Sequence, residues 1–207
     1  MKSNWKQQKS IDYQILKAIN AFGHGAVFVP TDFLSLGSRQ AVDIVLHRLV
    51  RKGTIRRLAR GIYDFPEEHP NLGKLQPSPE KIAEVLVGRD CTRIQPTGAY
   101  AANILGLSEQ VPAKVVFLTD GPSRMVKIGT TTIQLRRTTP KNMAMAGRLS
   151  GLLVQALREL GKENITAERL EQLKRIIPLD ARQELLKDIR FAPEWMHSIF
   201  RELAEET

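Results

Sequence analysis

Apolar residues near the start of the chain recur every three or four positions, the spacing that places them on one face of a helix. The first such run begins after Ser10, whose side chain suits a helix N-cap, and stops at Gly23. Its apolar positions are Ile11, Ile15, Ile19 and Phe22. The pattern predicts an amphipathic helix with one side turned towards a core.

A second run predicts the helix on which the functional argument depends. A short helix is expected over Thr31–Leu36, followed by a turn at Gly37. Ser38 then caps a helix that runs to about Lys52 and ends at Gly53. At about 100° per residue, the core face of this helix consists of Val42, Val45, Leu46 and Leu49. The opposite face consists of Gln40, Ile44, His47 and Arg51, with Asp43 and Arg48 on its flanks.

Two short β-strands are expected next, over Ile55–Ala59 and Ile62–Phe65, joined by a turn at Arg60 and Gly61. Between Arg48 and Arg60 there are six basic residues and no acidic one. Helix, turn, helix and basic hairpin, in that order, are the parts of a winged helix-turn-helix. Such a unit lays its second helix in the major groove of DNA and its wing along the backbone.

The polar face and the hairpin supply the predicted DNA contacts. The amino end of the second helix usually reaches base edges, so Arg39 is expected to pair with guanine and Gln40 with adenine. The N–H of Ser38 and the helix dipole favour a phosphate oxygen. The full predicted set is Ser38, Arg39, Gln40, His47, Arg48, Arg51, Arg56, Arg57 and Arg60.

Plainer interpretations apply to each of these positions. A basic hairpin is sometimes only a solvated surface, Ser38 is most simply an N-cap, and His47 is more often an exposed polar residue than a base reader. Ile44 suits a thymine methyl group, but packing under the wing is favoured for it. Asp43 would repel phosphates, so it is expected to orient a neighbouring arginine.

The rest of the chain predicts a second domain. Residues 66–79 contain four prolines and little apolar periodicity. We therefore divide the chain into a winged-helix domain at 1–66, a linker at 67–79 and a second domain at 80–207. In that domain we expect a helix from Ser78-Pro79, a small-residue helix from Thr97 to Gly106, a strand over Lys114–Thr119, a hairpin around Gly129, and then helices separated by Pro178 and Pro193. The fold class is α+β, with a mixed α/β domain that ends in helices.

Charge is unevenly distributed. The net charge of +9 comes from residues 1–70 (11 Lys/Arg against 6 Asp/Glu) and 71–140 (9 against 5), while residues 141–207 are neutral (11 against 11). This indicates a polyanionic partner for the first two sectors. One cysteine, no signal-peptide pattern and no long apolar run predict a soluble cytoplasmic protein with no membrane partner.

Patterns typical of catalysis or of metal binding are weak. The sequence has no Gly-rich phosphate loop, no HExxH motif and no Cys/His cluster, so no metal or cofactor is expected. Asp120 is the best candidate for a catalytic carboxylate, although the Asp120-Gly121-Pro122 segment is more simply a turn that reverses the chain. Cys91 lacks a local base and is expected to be inert.

Two segments resemble one known family. The stretches LHRLVRKGTIRRLARGIYDFP and PTGAYAANILGLSEQVPAKVVFLTDGPSR are similar to the AbiEi-type antitoxins of type IV toxin–antitoxin pairs, and the resemblance covers about residues 10–137. It implies a repressor of its own operon that opposes a nucleotidyltransferase-like toxin, without catalytic residues. The DNA-contacting positions that it implies are Ser38, Arg39, Gln40, His47, Arg57 and Arg60.

The sequence therefore predicts a bacterial transcriptional repressor that binds double-stranded operator DNA. Symmetric operators would require a homodimer or paired monomers, a point that the sequence leaves open. Two alternatives stay open as well. One is a nucleic-acid-acting enzyme that the winged helix targets, with Asp120 catalytic. The other is a protein-interaction module that uses the C-terminal helices.

Overall fold

The structure is a computed structural model that describes residues 10–88 and 93–205 of the 207-residue chain. Two compact units follow each other along the chain, Met1–Val85 and Leu86–Thr207. Each unit has its own cluster of buried apolar side chains. Cys91 lies outside the described residues.

The N-terminal unit is built from two helices and a small sheet. Helix α1 spans Ile11–Phe22 and helix α2 spans Arg39–Arg51, with one turn of 3-10 helix at Pro30–Phe33 between them. The strands are β1 (Val27–Phe28), β2 (Arg56–Ala59), β3 (Ile62–Asp64), β4 (Glu68–His69) and β5 (Gly73–Lys74). Helix α3 (Pro79–Val87) contains the boundary between the two units.

The predicted amphipathic patterns form the core of this unit. Ile15 and Ile19 of α1 are fully buried, and the Oγ of Ser10 accepts a hydrogen bond from the N–H of Tyr13 at 3.2 Å, which confirms the N-cap. Phe28 and Phe33 meet edge to face with their ring centroids 5.5 Å apart. The buried cluster consists of Ile15, Ile19, Phe28, Phe33, Val42, Val45, Leu46, Leu49, Ile55 and Phe65.

Strands β1, β3 and β2 form an antiparallel sheet in that order. Ala59 pairs with Ile62, so the turn between them is Arg60-Gly61 as predicted, and Gly61 adopts a φ of 75° that this tight turn requires. Strand β1 was not predicted, because two residues carry no detectable period. Its pairing of Phe28 with Tyr63 completes the winged helix-turn-helix.

Residues 67–79 are predicted to be a linker, but in the structure they contain a β-hairpin. Strands β4 and β5 form a hairpin whose backbone is held against the wing. The Nη2 of Arg56 donates to the carbonyl of Leu75 at 2.5 Å, and the Nζ of Lys74 donates to the carbonyl of Gly53 at 3.3 Å. These bonds use main-chain carbonyls, which leave no trace in a hydrophobic pattern. The boundary between the units accordingly falls at Val85 rather than within 67–79.

The C-terminal unit combines a four-stranded sheet with a helical bundle. Its sheet strands are β6 (Ile94–Thr97), β7 (Lys114–Thr119), β8 (Arg124–Ile128) and β9 (Thr131–Arg137). Their order is β6-β7-β9-β8, with β7 and β9 parallel and the other pairs antiparallel. The predicted hairpin around Gly129 is therefore β8–β9, and β8 runs opposite to β7, so the chain reverses at Asp120–Ser123 as expected.

The helices of this unit are α4 (Ala99–Ile104), α5 (Leu149–Leu160), α6 (Ala167–Ile176), α7 (Leu179–Asp188) and α8 (His197–Ala204). Pro178 and Pro193 precede helical turns, which confirms them as separators. Short 3-10 turns lie at Pro140–Met143, Lys162–Asn164, Ile189–Phe191 and Glu194–Met196. Helix α5 is the centre of the bundle, with Leu153, Val154, Ala156 and Leu157 buried.

The fold is thus α+β, with an N-terminal winged helix-turn-helix, a mixed α/β second unit and a helical end, as predicted. Among the described residues, every helix is too short or too polar to cross a membrane.

Candidate nucleic-acid interface

Helix α2 has the two faces that its sequence predicts. Val42, Val45, Leu46 and Leu49 are buried in the core. The opposite side, made up of Gln40, Ile44, His47 and Arg51, is exposed. The polar side of helix α2 is therefore exposed to solvent.

Ile44 lies in the middle of that polar side. Packing under the wing was favoured for it, and this expectation is wrong. The residue is 46% exposed and lies outside the buried cluster. Its position one helical turn from Gln40 leaves it among polar residues, away from the core stripe. An exposed aliphatic side chain there suits contact with a thymine methyl group in a major groove.

The amino end of α2 is ordered by two local interactions. Ser38 is its N-cap, because its Oγ accepts a hydrogen bond from the N–H of Ala41 at 3.3 Å. The Nε of Arg39 donates to both carboxylate oxygens of Asp43, at 3.1 and 3.0 Å. This confirms that Asp43 orients a neighbouring arginine. The pair remains about half exposed, so the guanidinium of Arg39 is held in place while it stays accessible.

Several of the predicted contact residues have no competing partner. Within the part of the chain that the structure describes, the side chains of Gln40, His47, Arg51 and Arg60 make no hydrogen bond and no ion pair. Arg57 is exposed on β2, where its Nε reaches only the carbonyl of Ala59 at 3.4 Å. These five side chains are thus available to an incoming ligand.

Arg48 is less free. Its Nη1 lies 3.1 Å from Oδ1 of Asp12, which is on α1. Both side chains are about half exposed, and such surface pairs contribute between about 0 and 1 kcal/mol. A phosphate could therefore replace Asp12 at low cost. The sequence predicted the arginine but gave no indication of its carboxylate partner 36 residues away.

Arg56 is placed differently from the prediction. Its guanidinium donates to Oδ1 of Asp64 at 3.1 Å and to Oδ2 at 2.5 Å, and further to the carbonyl oxygens of Lys74 and Leu75. Asp64 is fully buried, and the Arg56 side chain is 23% exposed. Arg56 therefore joins the wing to the β4–β5 hairpin. Because its guanidinium makes four hydrogen bonds within the N-terminal unit, we assign Arg56 a structural role in place of the predicted DNA contact.

Asp120, the candidate catalytic carboxylate, is held by Arg93. It accepts hydrogen bonds from the backbone N–H and the Nε of Arg93, both at 2.9 Å. Partial burial alone would raise the pKa of Asp120, but the hydrogen bonds and charge of Arg93 outweigh it and lower that pKa below the ordinary value of 3.8. The carboxylate is thus a fixed anion that organises the turn after β7.

The described histidines and acidic residues are spread over both units. Within residues 10–88 and 93–205, no group of three or more His, Cys, Asp or Glu side chains is arranged to hold an ion. His24 stacks on Phe65 at 4.0 Å, and its Nδ1 lies 2.9 Å from the carbonyl oxygen of Pro66. It is therefore part of the packing between α1 and the wing.

The fold and the exposed face of α2 define the class of protein, a winged helix-turn-helix protein with an appended α/β unit. The chain belongs to a family of unknown function, DUF6088, whose model matches residues 14–185. No curated protein matches the sequence. Among solved structures, the chain is similar to the RV2827C protein from Mycobacterium tuberculosis at 14% identity, with a TM-score of 0.44, over 88% of this chain and 78% of that one.

Proposed function

We propose that the N-terminal unit binds double-stranded DNA and that the protein is a transcriptional repressor. The observation that carries this proposal is the solvent-exposed, unpartnered face of α2 (Gln40, Ile44, His47 and Arg51) on the same unit as the exposed arginines of the wing. A helix of 13 residues is about 20 Å long, which suits a crossing of the major groove.

The residues have distinct roles in this proposal. Gln40, Ile44 and His47 face base edges, with Arg39 held beside them by Asp43. Arg51, Arg57 and Arg60 bind phosphates, and Arg48 exchanges Asp12 for a phosphate when DNA arrives. Contacts of the first kind specify a sequence, and contacts of the second kind supply affinity and position.

The biological role that we propose is that of the antitoxin in a type IV toxin–antitoxin pair, which represses its own operon in the cytoplasm. Its support is the resemblance of residues 46–66 and 96–124 to AbiEi-type antitoxins, together with the winged helix. The partner would be a nucleotidyltransferase-like toxin. The genetic test is growth of cells that express the neighbouring reading frame, with and without this protein. If this protein does not restore growth, the antitoxin role is contradicted. The proposal of DNA binding would not be affected by that result.

The test of DNA binding is a titration of a labelled duplex from upstream of the gene at several salt concentrations. Replacing Arg57 and Arg60 by alanine should lower the slope of log affinity against log salt by about two, because two phosphate contacts are lost. The matched control is Lys162→Ala with Lys187→Ala, which removes the same charge from exposed sites in the other unit. An unchanged slope in the wing variant would remove the wing from the interface.

A further inference from the structure

The C-terminal unit contains a basic cleft that the winged helix does not explain. Its walls come from the start of α4, from β7 and β9, and from the end of α5. The lining residues are Thr97, Gly98, Ala99, Lys114, Val116, Arg136, Arg158 and Glu159. Three cations and one carboxylate therefore line a single concave site.

Strand register places Lys114 and Arg136 on the same face of the sheet. Lys114, Val116 and Leu118 lie on one face of β7, because alternate residues of a strand share a face. Arg136 of β9 pairs with Leu118, so it lies on that same face. Thr97 of β6 pairs with Val116 and lies there too. Helix α5 packs against β6 on this side of the sheet, where Oγ1 of Thr97 donates to Oε1 of Gln155 at 2.6 Å, and its last turn brings Arg158 to the cleft.

Among the paired strand residues that the structure describes, the sheet face that leads into the cleft has no acidic side chain. Lys127 of β8 pairs with Thr132, which in turn pairs with Lys114, so a second lysine lies on the same face. The residues that share it are Gln95, Thr97, Lys114, Val116, Leu118, Met125, Lys127, Thr132, Gln134 and Arg136. Lys114, Lys127 and Arg136 of this face are three of the nine Lys/Arg residues in 71–140.

Among the described residues, Lys114, Arg136 and Arg158 make no side-chain hydrogen bond and no ion pair. Two other arginines of this unit do form ion pairs, Arg93 with Asp120 and Arg148 with Asp188. The one carboxylate of the cleft, Glu159, lies beside Gly98, where an added Cβ would come within 3.4 Å of its Oε2.

We propose that this cleft binds a phosphate group. Two guanidinium groups and an ammonium group supply donors of the kind that recognise phosphate, and all three side chains are exposed, so a phosphate can reach them. Glu159 opposes binding by repulsion and limits its strength. A nucleic-acid backbone and a free phosphate compound both carry the group. The proposal does not depend on DNA binding by the winged helix.

The experiment measures the thermal midpoint of the full-length protein in increasing pyrophosphate at constant ionic strength. A ligand that binds only the native state raises the midpoint with its concentration. The cleft variant is Lys114→Gln, Arg136→Gln and Arg158→Gln together. Its matched control is Lys141→Gln, Lys162→Gln and Lys187→Gln, which removes equal charge from exposed positions of the same unit.

We expect pyrophosphate to raise the midpoint of the wild type and of the control variant, with the rise lost in the cleft variant. A second variant, Glu159→Gln, should show a larger rise than the wild type, because it removes the repulsive charge while the cations stay in place. A rise that is absent from the wild type, or equal in the cleft and control variants, would overturn the proposal.

A labelled duplex distinguishes the two sources of phosphate. If the pyrophosphate response is lost and the salt slope of duplex binding also falls, the phosphate belongs to a nucleic-acid backbone. If the response is lost and the slope is unchanged, the cleft takes a free phosphate compound. Failure of the wild type to bind any duplex would contradict the proposed function and leave the pyrophosphate result intact.

Discussion

At the scale of single residues, one arginine that was predicted to contact DNA stabilises the wing instead. Arg56 and Arg57 are adjacent and chemically identical, yet Arg57 is exposed while Arg56 is bonded to the buried Asp64 and to two backbone carbonyls. The alternation of a strand places them on opposite faces. A sequence pattern of basic residues therefore overstates the number available to DNA.

Replacing Asp64 by asparagine should destabilise the N-terminal unit by about 3 kcal/mol, because Arg56 would then be left without its charge partner in a largely buried site. Urea unfolding followed by circular dichroism measures this change. The matched control is Asp43→Asn, which breaks an exposed pair with Arg39 and should cost less than about 0.5 kcal/mol. Equal, small losses in both variants would show that the Arg56–Asp64 pair does not hold the wing.

Gln40 tests whether the exposed face of α2 reads sequence. Its replacement by alanine should cost on the order of 1–3 kcal/mol at one base pair of the operator and much less elsewhere, because a two-point hydrogen bond to one base is lost. Binding to a set of singly substituted operators measures this, with Gln183→Ala as the exposed control. A loss that is uniform across all sequences would assign Gln40 to the backbone.

At the scale of elements, helix α5 lies close to strand β6, and this close approach positions one wall of the basic cleft. Gly151 lies in α5, where an added Cβ would overlap the carbonyl oxygen of Met145 and lie 2.7 Å from Oε1 of Gln95. The same Gln95 oxygen accepts a hydrogen bond from the N–H of Gly147 at 3.2 Å. Only glycine lets α5 approach β6 so closely, and this approach fixes the position of Arg158 at the end of the helix.

Gly151→Ala should therefore destabilise the C-terminal unit by about 1–3 kcal/mol, because backbone atoms and a bonded amide have no room to move. Thermal unfolding measures the effect. Gly37→Ala is the contrasting variant, since its new Cβ would overlap only the flexible Cδ1 end of Ile11, and its other neighbours lie at ordinary contact distances. A Gly151 variant as stable as the wild type would mean that α5 can shift away from the sheet.

The elements also show which parts of the fold a sequence can predict. Helices α1, α2 and α5 were predicted because each carries an apolar stripe, and α1 and α2 also carry a Ser N-cap. Strands β1, β4 and β5 were missed because each has only two residues. Strand β6 was missed because Gln95 and Thr97, its buried residues, are polar. Their burial depends on partners in α5 and on the chain before it.

At the scale of the whole molecule, each of the two units has its own cluster of buried apolar side chains among the described residues, and we expect each unit to have its own stability. Leu46 is fully buried in the N-terminal core, and Leu153 is fully buried in the C-terminal one. The winged helix lies in the N-terminal unit, and the basic cleft lies in the C-terminal unit. A change in one core is therefore expected to act on one function.

Leu46→Ala should cost about 2–5 kcal/mol and increase amide hydrogen exchange in residues 10–85, with little change in residues 93–205. Leu153→Ala should give the reverse pattern. Hydrogen exchange followed by mass spectrometry measures both. Simultaneous loss of protection in both units would show that the chain unfolds as one cooperative body.

The sequence by itself determined the longer helices and the hairpins β2–β3 and β8–β9. Hydrophobic periodicity set the long helices and the exposed face of α2, and the distribution of charge pointed to a polyanion. Tertiary structure alone decided which cations are available. It paired Arg56 with Asp64 and Arg48 with Asp12, and it brought Lys114, Arg136 and Arg158 together from three elements. The reason is that periodicity acts between neighbours in sequence, whereas an ion pair or a cleft depends on distances between residues far apart in the chain.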